Sequence, residues 1–211
     1  MNDPKATQTL PDEYQLSHSL NLIKEHKLLL TLSLFSIVLF IGAFVGLGWL
    51  FQWLRPGVTS GVVGFSFRIT GLADILSPFL VILVVTVVMI IMHEAIHGIF
   101  FWLFTGGRVK FAFKGAYAYA AAPDWYLPKK PYMVVSLAPL VLMTVMGVLA
   151  LLWVPINWVT PIILLLAMNA SGAVGDIYVF LLLIRMEDDV FIQDFGEKMK
   201  IYAPGVEVAV E

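Results

Sequence analysis

Four long apolar segments constrain the fold of this chain more than any other feature of its sequence. They are Leu28–Leu54, Ile75–Phe104, Met133–Val154 and Ile162–Ile184. A helix needs about 20 residues to cross a hydrocarbon core of about 30 Å, and each segment is long enough. With 60% hydrophobic and 13% charged residues, the 211-residue chain is far more apolar than a soluble domain. We therefore predict an all-α polytopic membrane protein with four transmembrane helices.

The second segment contains the sequence His-Glu-Ala-Ile-His, from His93 to His97. Because an α-helix has 3.6 residues per turn, the two histidines lie one turn apart on the same face and can bind one metal ion. Glu94 lies beside them and can take a proton from a water molecule that the ion activates. A charge near the middle of a bilayer costs about 2.5–3.5 kcal/mol, and a bound metal ion explains why a membrane span carries these side chains.

Asp176 is the only other charged or histidine side chain in the four segments. It precedes the end of the fourth segment much as His97 precedes the end of the second, which places both on the order of 10–15 Å below the same membrane surface. Two histidines and one carboxylate, with one open position, are typical of a catalytic zinc site. The chain has no cysteine, which excludes a thiolate-rich structural zinc site. We therefore predict a Zn²⁺ site formed by His93, His97 and Asp176.

Asn169 lies seven residues before Asp176, which puts both side chains on one face of a continuous helix. Gly172 and Ala173 lie between them on that face and are small enough for another backbone to approach closely. An asparagine amide here can donate a hydrogen bond to an oxyanion or a substrate carbonyl. We therefore predict a catalytic role for Asn169 beside that of Glu94. The alternative is an asparagine that serves helix packing alone.

The distribution of Lys and Arg predicts the orientation in the cell membrane. With four spans, the N-terminal segment, the loop between spans two and three, and the C-terminal tail share one side and carry eleven of the thirteen basic residues. The other two, Arg55 and Arg68, lie on the opposite side. By the positive-inside rule, residues 1–27 and the tail 186–211 are cytoplasmic, and residues 28–185 form a single membrane domain.

The loop after the second span has a period of two. Val109, Phe111 and Phe113 alternate with basic residues and alanine until Gly115 interrupts the pattern. This alternation predicts a small β-hairpin over residues 108–120 on the cytoplasmic side, between helices 2 and 3. Its edge can pair with an extended peptide, or it is a plain connection; both interpretations stay open. We expect the polar N-terminal segment to be loosely ordered or interfacial, and the acidic tail to form a solvated face.

These motifs resemble those of a known enzyme class. The sequence from His93 to Gly98 in one span, with Asn169 and Asp176 in a later one, is similar to the site-2 protease class of intramembrane zinc metalloproteases. More narrowly, the chain resembles small four-span bacterial membrane proteins classed as zincin peptidases, from span two to span four. The resemblance implies that His93, His97 and Asp176 bind zinc and that Glu94 is the catalytic base. The Asn-Pro and Asp-Gly pairs usual in site-2 proteases are absent here.

The sequence thus predicts a zinc-dependent intramembrane endopeptidase that cleaves in or next to transmembrane helices, near the cytoplasmic side. The expected partners are a single-span membrane protein or peptide as substrate and the lipid bilayer. The net charge of −2 gives no reason to expect nucleic acid.

Other metal chemistries fit the sequence less well. Glu94 and His97 also match half of a di-iron motif, but a second half and further glutamates are missing from the spans. Haem cannot take both axial ligands from adjacent turns of one helix. The main alternative is a non-catalytic metal-binding membrane protein, either an inactive protease relative or a small ion carrier. Glu94 argues against it, because metal binding alone does not require a base between the histidines.

Overall fold

The computed structural model describes residues 5–21, 25–58, 71–115 and 117–205. In chain order, the elements in these ranges are β1 (Tyr14–Leu20), α1 (His26–Leu54), α2 (Leu72–Thr105), β2 (Lys110–Phe113), β3 (Ala118–Ala121), β4 (Leu127–Pro128), α3 (Lys129–Leu151), α4 (Ile156–Gly172), α5 (Val174–Ile184), β5 (Phe191–Asp194) and β6 (Met199–Pro204). The prediction of a mostly helical fold is confirmed. The long apolar helices are consistent with a multi-pass membrane protein.

The fourth predicted span is divided into two helices. Among the described residues, α1, α2 and α3 are each long and apolar enough to cross a membrane, and α4 with α5 forms a fourth candidate bent by 44°. Gly172, Ala173 and Gly175 surround the break, and glycine weakens a helix by about 1 kcal/mol relative to alanine. The expectation that Asn169 and Asp176 share one face of a continuous helix is therefore wrong, because they lie on either side of this break.

The chain divides into two compact units. The first consists of Met1–Thr31, Glu94–Ala138 and Gly175–Glu211 and contains the six described strands. Its core includes the buried side chains of Phe101, Leu127, Tyr132, Val135, Leu183, Ile192 and Ile201.

The second unit consists of Leu32–His93 and Pro139–Val174. Its core is formed by Phe51, Leu151, Val159 and Ile163. Near this core, the Arg55 guanidinium donates to the carbonyl of Val154 at 2.7 Å. Four tryptophans of this unit are largely exposed, as expected for an aromatic belt at a membrane interface: Trp49, Trp53, Trp153 and Trp158.

The first unit contains a four-stranded antiparallel sheet with the order β1-β6-β5-β4. The all-α prediction did not include this sheet. The polar N-terminal segment contributes β1, and the tail contributes β5 and β6, so the described parts of these segments are ordered by pairing with each other. Apolar residues of β5 and β6, including Ile192 and Ile201, are fully buried, which gives this sheet a hydrophobic face.

The pairing of these strands bears on the number of membrane crossings. Strands that share backbone hydrogen bonds lie on the same side of a bilayer, because a lipid-exposed sheet edge has no partners for its polar groups. An even number of crossings must therefore separate β1 from β4, and β4 from β5. The first pair is separated by α1 and α2, and the second by α3 with α4 and α5. The described helices provide these crossings if α4 and α5, which are bent by 44°, are counted as one candidate span.

Between α2 and α3, β2 and β3 form a separate antiparallel pair, in which Phe111 lies opposite Ala120. Gly106 directly follows α2 and adopts a φ of 65°, and its N–H donates to the carbonyl of Trp102. A left-handed glycine at this position is a common way to end a helix, and it directs the chain into the hairpin.

Single-cysteine labelling tests the crossing number, and the chain has no native cysteine to interfere. Thr9 precedes β1 and Asp124 precedes β4, and both strands belong to the four-stranded sheet. Thr9→Cys and Asp124→Cys should therefore show the same accessibility to a maleimide. Gly57→Cys, beyond the end of α1, should show the opposite accessibility to a membrane-impermeant maleimide in intact cells. With cytoplasmic termini, only Gly57→Cys is labelled before permeabilisation. Different labelling of Thr9→Cys and Asp124→Cys would contradict the shared side.

Candidate metal centre

α2 places the two histidines of the motif four residues, or about one turn, apart. His93 is 7% exposed and His97 is 9% exposed, so both imidazoles are removed from solvent. In the described part of the chain, His93, His97 and Asp176 form a group whose potential ligand atoms all lie within 4.8 Å of one another. The structure therefore brings together the three residues that the sequence predicts as metal ligands.

The distance between two of these ligand atoms is close to that expected around a small tetrahedral ion. Nitrogen and oxygen ligands lie about 2.0–2.1 Å from Zn²⁺, so two of them around a tetrahedral ion are about 3.3 Å apart. The Nε2 atom of His97 is 3.5 Å from Oδ2 of Asp176. Two imidazoles and a carboxylate are also the donor types of catalytic zinc sites, so the residues present fit this metal.

His97 is oriented by a backbone carbonyl that a proline makes available. Its Nδ1–H donates to the carbonyl of Val135 at 3.0 Å. In a regular helix, that carbonyl would accept a hydrogen bond from the N–H of residue 139. Pro139 lies inside α3 and has no N–H to donate. A ring that donates from Nδ1 carries its lone pair on Nε2, the atom that faces Asp176, and this is how second-shell partners prepare metal-binding histidines.

His93 is oriented by Asn169. Its Nδ1–H donates to Oδ1 of Asn169 at 2.9 Å, and the Asn169 amide donates to the carbonyl of Pro139 at 3.3 Å. Asn169 is completely buried. Both ends of its amide group are thus bonded within the chain, which favours an orienting role over the predicted contact with an oxyanion.

Asp176 lies in the first turn of α5. The backbone N–H groups at a helix N-terminus and the helix dipole stabilise a negative charge there. The break between α4 and α5 creates this N-terminus in the middle of an apolar segment. The bend therefore gives the third member of the cluster a favourable site for an ionised carboxylate.

Glu94 contacts the hairpin. Its Oε2 atom accepts a hydrogen bond from the backbone N–H of Ala120, at 2.7 Å. Ala120 belongs to β3, so the strand that follows the turn of the hairpin reaches the carboxylate predicted as the base. The sequence gives no indication of this contact, because the donor is a backbone group of an ordinary alanine.

Two further polar residues lie close to the cluster. The hydroxyl of Tyr132 donates to Oδ2 of Asp194 at 2.5 Å, and the N–H of Gly196 donates to the other oxygen at 2.6 Å. Burial raises the pKa of Asp194 above its ordinary value, although these hydrogen bonds and His97 oppose the shift. Sequence reasoning assigned Asp194 to a solvated acidic face, and only the fold brings β5 back towards the cluster.

Comparison with protein-family models assigns part of the chain to a family. The model of the family described as "Putative zincin peptidase" matches residues 85–191, just over half of the chain. The matched region includes His93, Glu94, His97, Asn169 and Asp176. Comparisons with curated proteins and with solved structures found no match.

Pro139→Ala tests the orientation of His97. The new N–H at position 139 would compete for the Val135 carbonyl, so zinc affinity should fall about ten-fold, as for loss of other second-shell partners. Competition with a fluorescent chelator measures this affinity. Pro161→Ala makes the same chemical change inside α4 and should leave the zinc affinity within about two-fold of wild type. Equal affinities for the two variants would contradict the role of Pro139.

Asn169→Ala separates the two roles considered for Asn169. If the side chain orients His93, zinc affinity falls about 10–100-fold, and Asn169→Asp, which keeps an acceptor oxygen, loses less. Zinc affinity is again measured by chelator competition, and turnover is measured on the same variants. Wild-type zinc affinity with turnover reduced about 10²–10³-fold would instead indicate the oxyanion contact predicted from the sequence.

Proposed function

We propose that this chain, which belongs to the zincin peptidase family, is a zinc-dependent endopeptidase that cleaves membrane proteins within or next to their transmembrane helices. Membership of the family indicates metallopeptidase activity, and its name implies zinc. The observation that carries the proposal is the approach of His93, His97 and Asp176 to within 4.8 Å of one another on apolar helices. Glu94, next to His93 on α2, adds the base that hydrolysis needs.

Each residue of the site has a separate role in this mechanism. When bound, Zn²⁺ supplies Lewis acidity towards the scissile carbonyl and makes the attacking water more acidic. His93, His97 and Asp176 would hold the ion, and Asn169 and the Val135 carbonyl would fix the orientation of the two imidazoles. Glu94 accepts the proton of the attacking water and delivers it to the leaving amine.

The position of the site limits the substrates. A peptide bond inside a transmembrane helix is shielded, because its N–H and C=O groups are bonded along the helix. The substrate segment must therefore unwind locally, and the β2–β3 hairpin offers strand edges that can pair with the extended segment. We propose a single-span membrane protein or peptide as the substrate. We also propose that both termini and the hairpin are cytoplasmic, which the distribution of Lys and Arg supports.

Two substitutions test whether the chain is an enzyme or a metal-binding protein alone. Glu94→Gln removes the base but keeps the shape of the side chain, so zinc should remain while peptide-bond cleavage is lost. Asp176→Asn weakens a ligand and should lower both zinc content and cleavage. Cleavage of a single-span substrate in liposomes is followed by gel electrophoresis, and zinc is measured by mass spectrometry on each variant.

Glu94→Asp is a matched control, because it keeps a carboxylate but shortens its reach, and it should retain zinc with intermediate cleavage. If wild type binds zinc but cleaves no membrane substrate, the chain is a non-catalytic metal-binding protein. If Glu94→Gln cleaves at the wild-type rate, the assignment of the base is wrong.

A further inference from the structure

One cross-strand pair of the hairpin contacts α2 at two positions that are one helical turn apart. Phe111 of β2 lies directly opposite Ala120 of β3. The N–H of Ala120 donates to Glu94, and the ring of Phe111 lies against Gly98. Residues 94 and 98 are four positions apart on α2, so they are neighbours on one face of the helix. The pair thus joins the hairpin to the helix that carries the proposed base.

The Ala120 N–H is not needed to hold the hairpin together. At the turn, the N–H of Lys114 donates to the carbonyl of Tyr117, so these two residues form a hydrogen-bonded pair. In an antiparallel ladder, hydrogen-bonded and non-hydrogen-bonded pairs alternate. The pair Phe111–Ala120 is therefore a non-hydrogen-bonded pair, and the N–H of Ala120 points away from β2. This N–H is available to Glu94 without any loss from the ladder.

Gly98 is the residue that lets the hairpin come this close. A Cβ atom at position 98 would overlap the ring of Phe111. The ring is 60% exposed, so it is held by this contact with the helix surface rather than by burial in the core. A side chain at position 98 would displace the ring of Phe111 from the helix surface and remove this contact between the hairpin and α2.

We infer that the backbone N–H of Ala120 is a positioning group for Glu94, and that the Phe111–Gly98 contact holds the hairpin in the place where it acts. A glutamate side chain has three rotatable bonds, and a proton acceptor must be held close to its productive geometry for catalysis. The hydrogen bond from Ala120 holds Oε2 of Glu94 in place and so restricts the orientation of the whole carboxylate group. The inference rests on the proposed role of Glu94 as the base, and it makes the hairpin part of the catalytic apparatus.

Amide hydrogen exchange tests the contact without any cleavage assay. In the full-length protein in detergent micelles, Glu94→Ala should accelerate exchange of the Ala120 N–H at least about ten-fold, because its acceptor is gone. Glu94→Gln still offers an amide oxygen and should accelerate it much less. The N–H of Tyr119 belongs to a hydrogen-bonded pair of the ladder, so an unchanged rate there shows that the hairpin is intact. An unchanged rate at Ala120 in Glu94→Ala would overturn the inference.

Kinetics test the positioning role. Ala120→Pro removes the N–H that points to Glu94 but no hydrogen bond of the β2–β3 ladder, so kcat should fall about 10–100-fold while KM and zinc content stay near wild type. Ala118→Pro, at the other outward-facing position of β3, is the matched control and should keep wild-type kcat. A wild-type kcat for Ala120→Pro would overturn the inference, as would equal losses of kcat in the two variants.

A rescue experiment tests the Phe111–Gly98 contact. Gly98→Ala should lower kcat because it displaces the ring, and a second substitution, Phe111→Ala, should restore much of the loss by removing the overlap. If kcat falls in Gly98→Ala and the added Phe111→Ala does not raise it again, the Phe111–Gly98 contact does not hold the hairpin in place. If wild type cleaves no substrate at all, the proposed function fails, whereas the exchange measurement still decides whether Ala120 holds Glu94.

Discussion

A buried imidazole needs a hydrogen-bond acceptor, and helices offer few, because each of their backbone carbonyls already accepts from the N–H four residues later. The arrangement of the candidate centre depends on how this shortage is met. Pro139 cannot donate, so the carbonyl of Val135 accepts from His97 instead of from its own helix. His93 donates instead to the side chain of Asn169. Both rings therefore donate from Nδ1, which leaves each lone pair on Nε2 for a metal ion.

Much of the site could be predicted because it depends on the spacing of residues along one helix and on the scarcity of charged side chains in the apolar segments. Four residues separate His93 from His97, and helical geometry alone puts them on one face. Asp176 is conspicuous as the one remaining charge in about a hundred apolar residues, and an unexplained charge in such a segment indicates a partner. The mostly helical fold follows from the same apolar segments. A proline inside an apolar helix also indicates which carbonyl lacks its usual donor.

The remaining features could not be predicted because they depend on contacts between distant segments or on backbone groups. β1 has no buried residue and β6 has two, and the two strands pair across almost the whole chain, so neither shows a clear strand pattern in its own sequence. The break after Gly172 is encoded by small residues that also occur in unbroken membrane helices, and it placed Asp176 on a helix of its own. The N–H of Ala120 has no signature in the sequence, because every residue except proline has one.

The pairing of β1 with β6 has a consequence for biosynthesis. Of the described strands, β1 is synthesised first and pairs with β6, which is synthesised last. At about 5–20 residues per second, β1 waits on the order of 10–40 s for its partner. For the part of that time between the synthesis of His97 and that of Asp176, the nascent chain contains both histidines and Glu94 but lacks Asp176. A chain whose translation stops early therefore contains the base without a complete ligand set. Under the proposed function, a stalled or truncated product cannot become an active protease in the membrane.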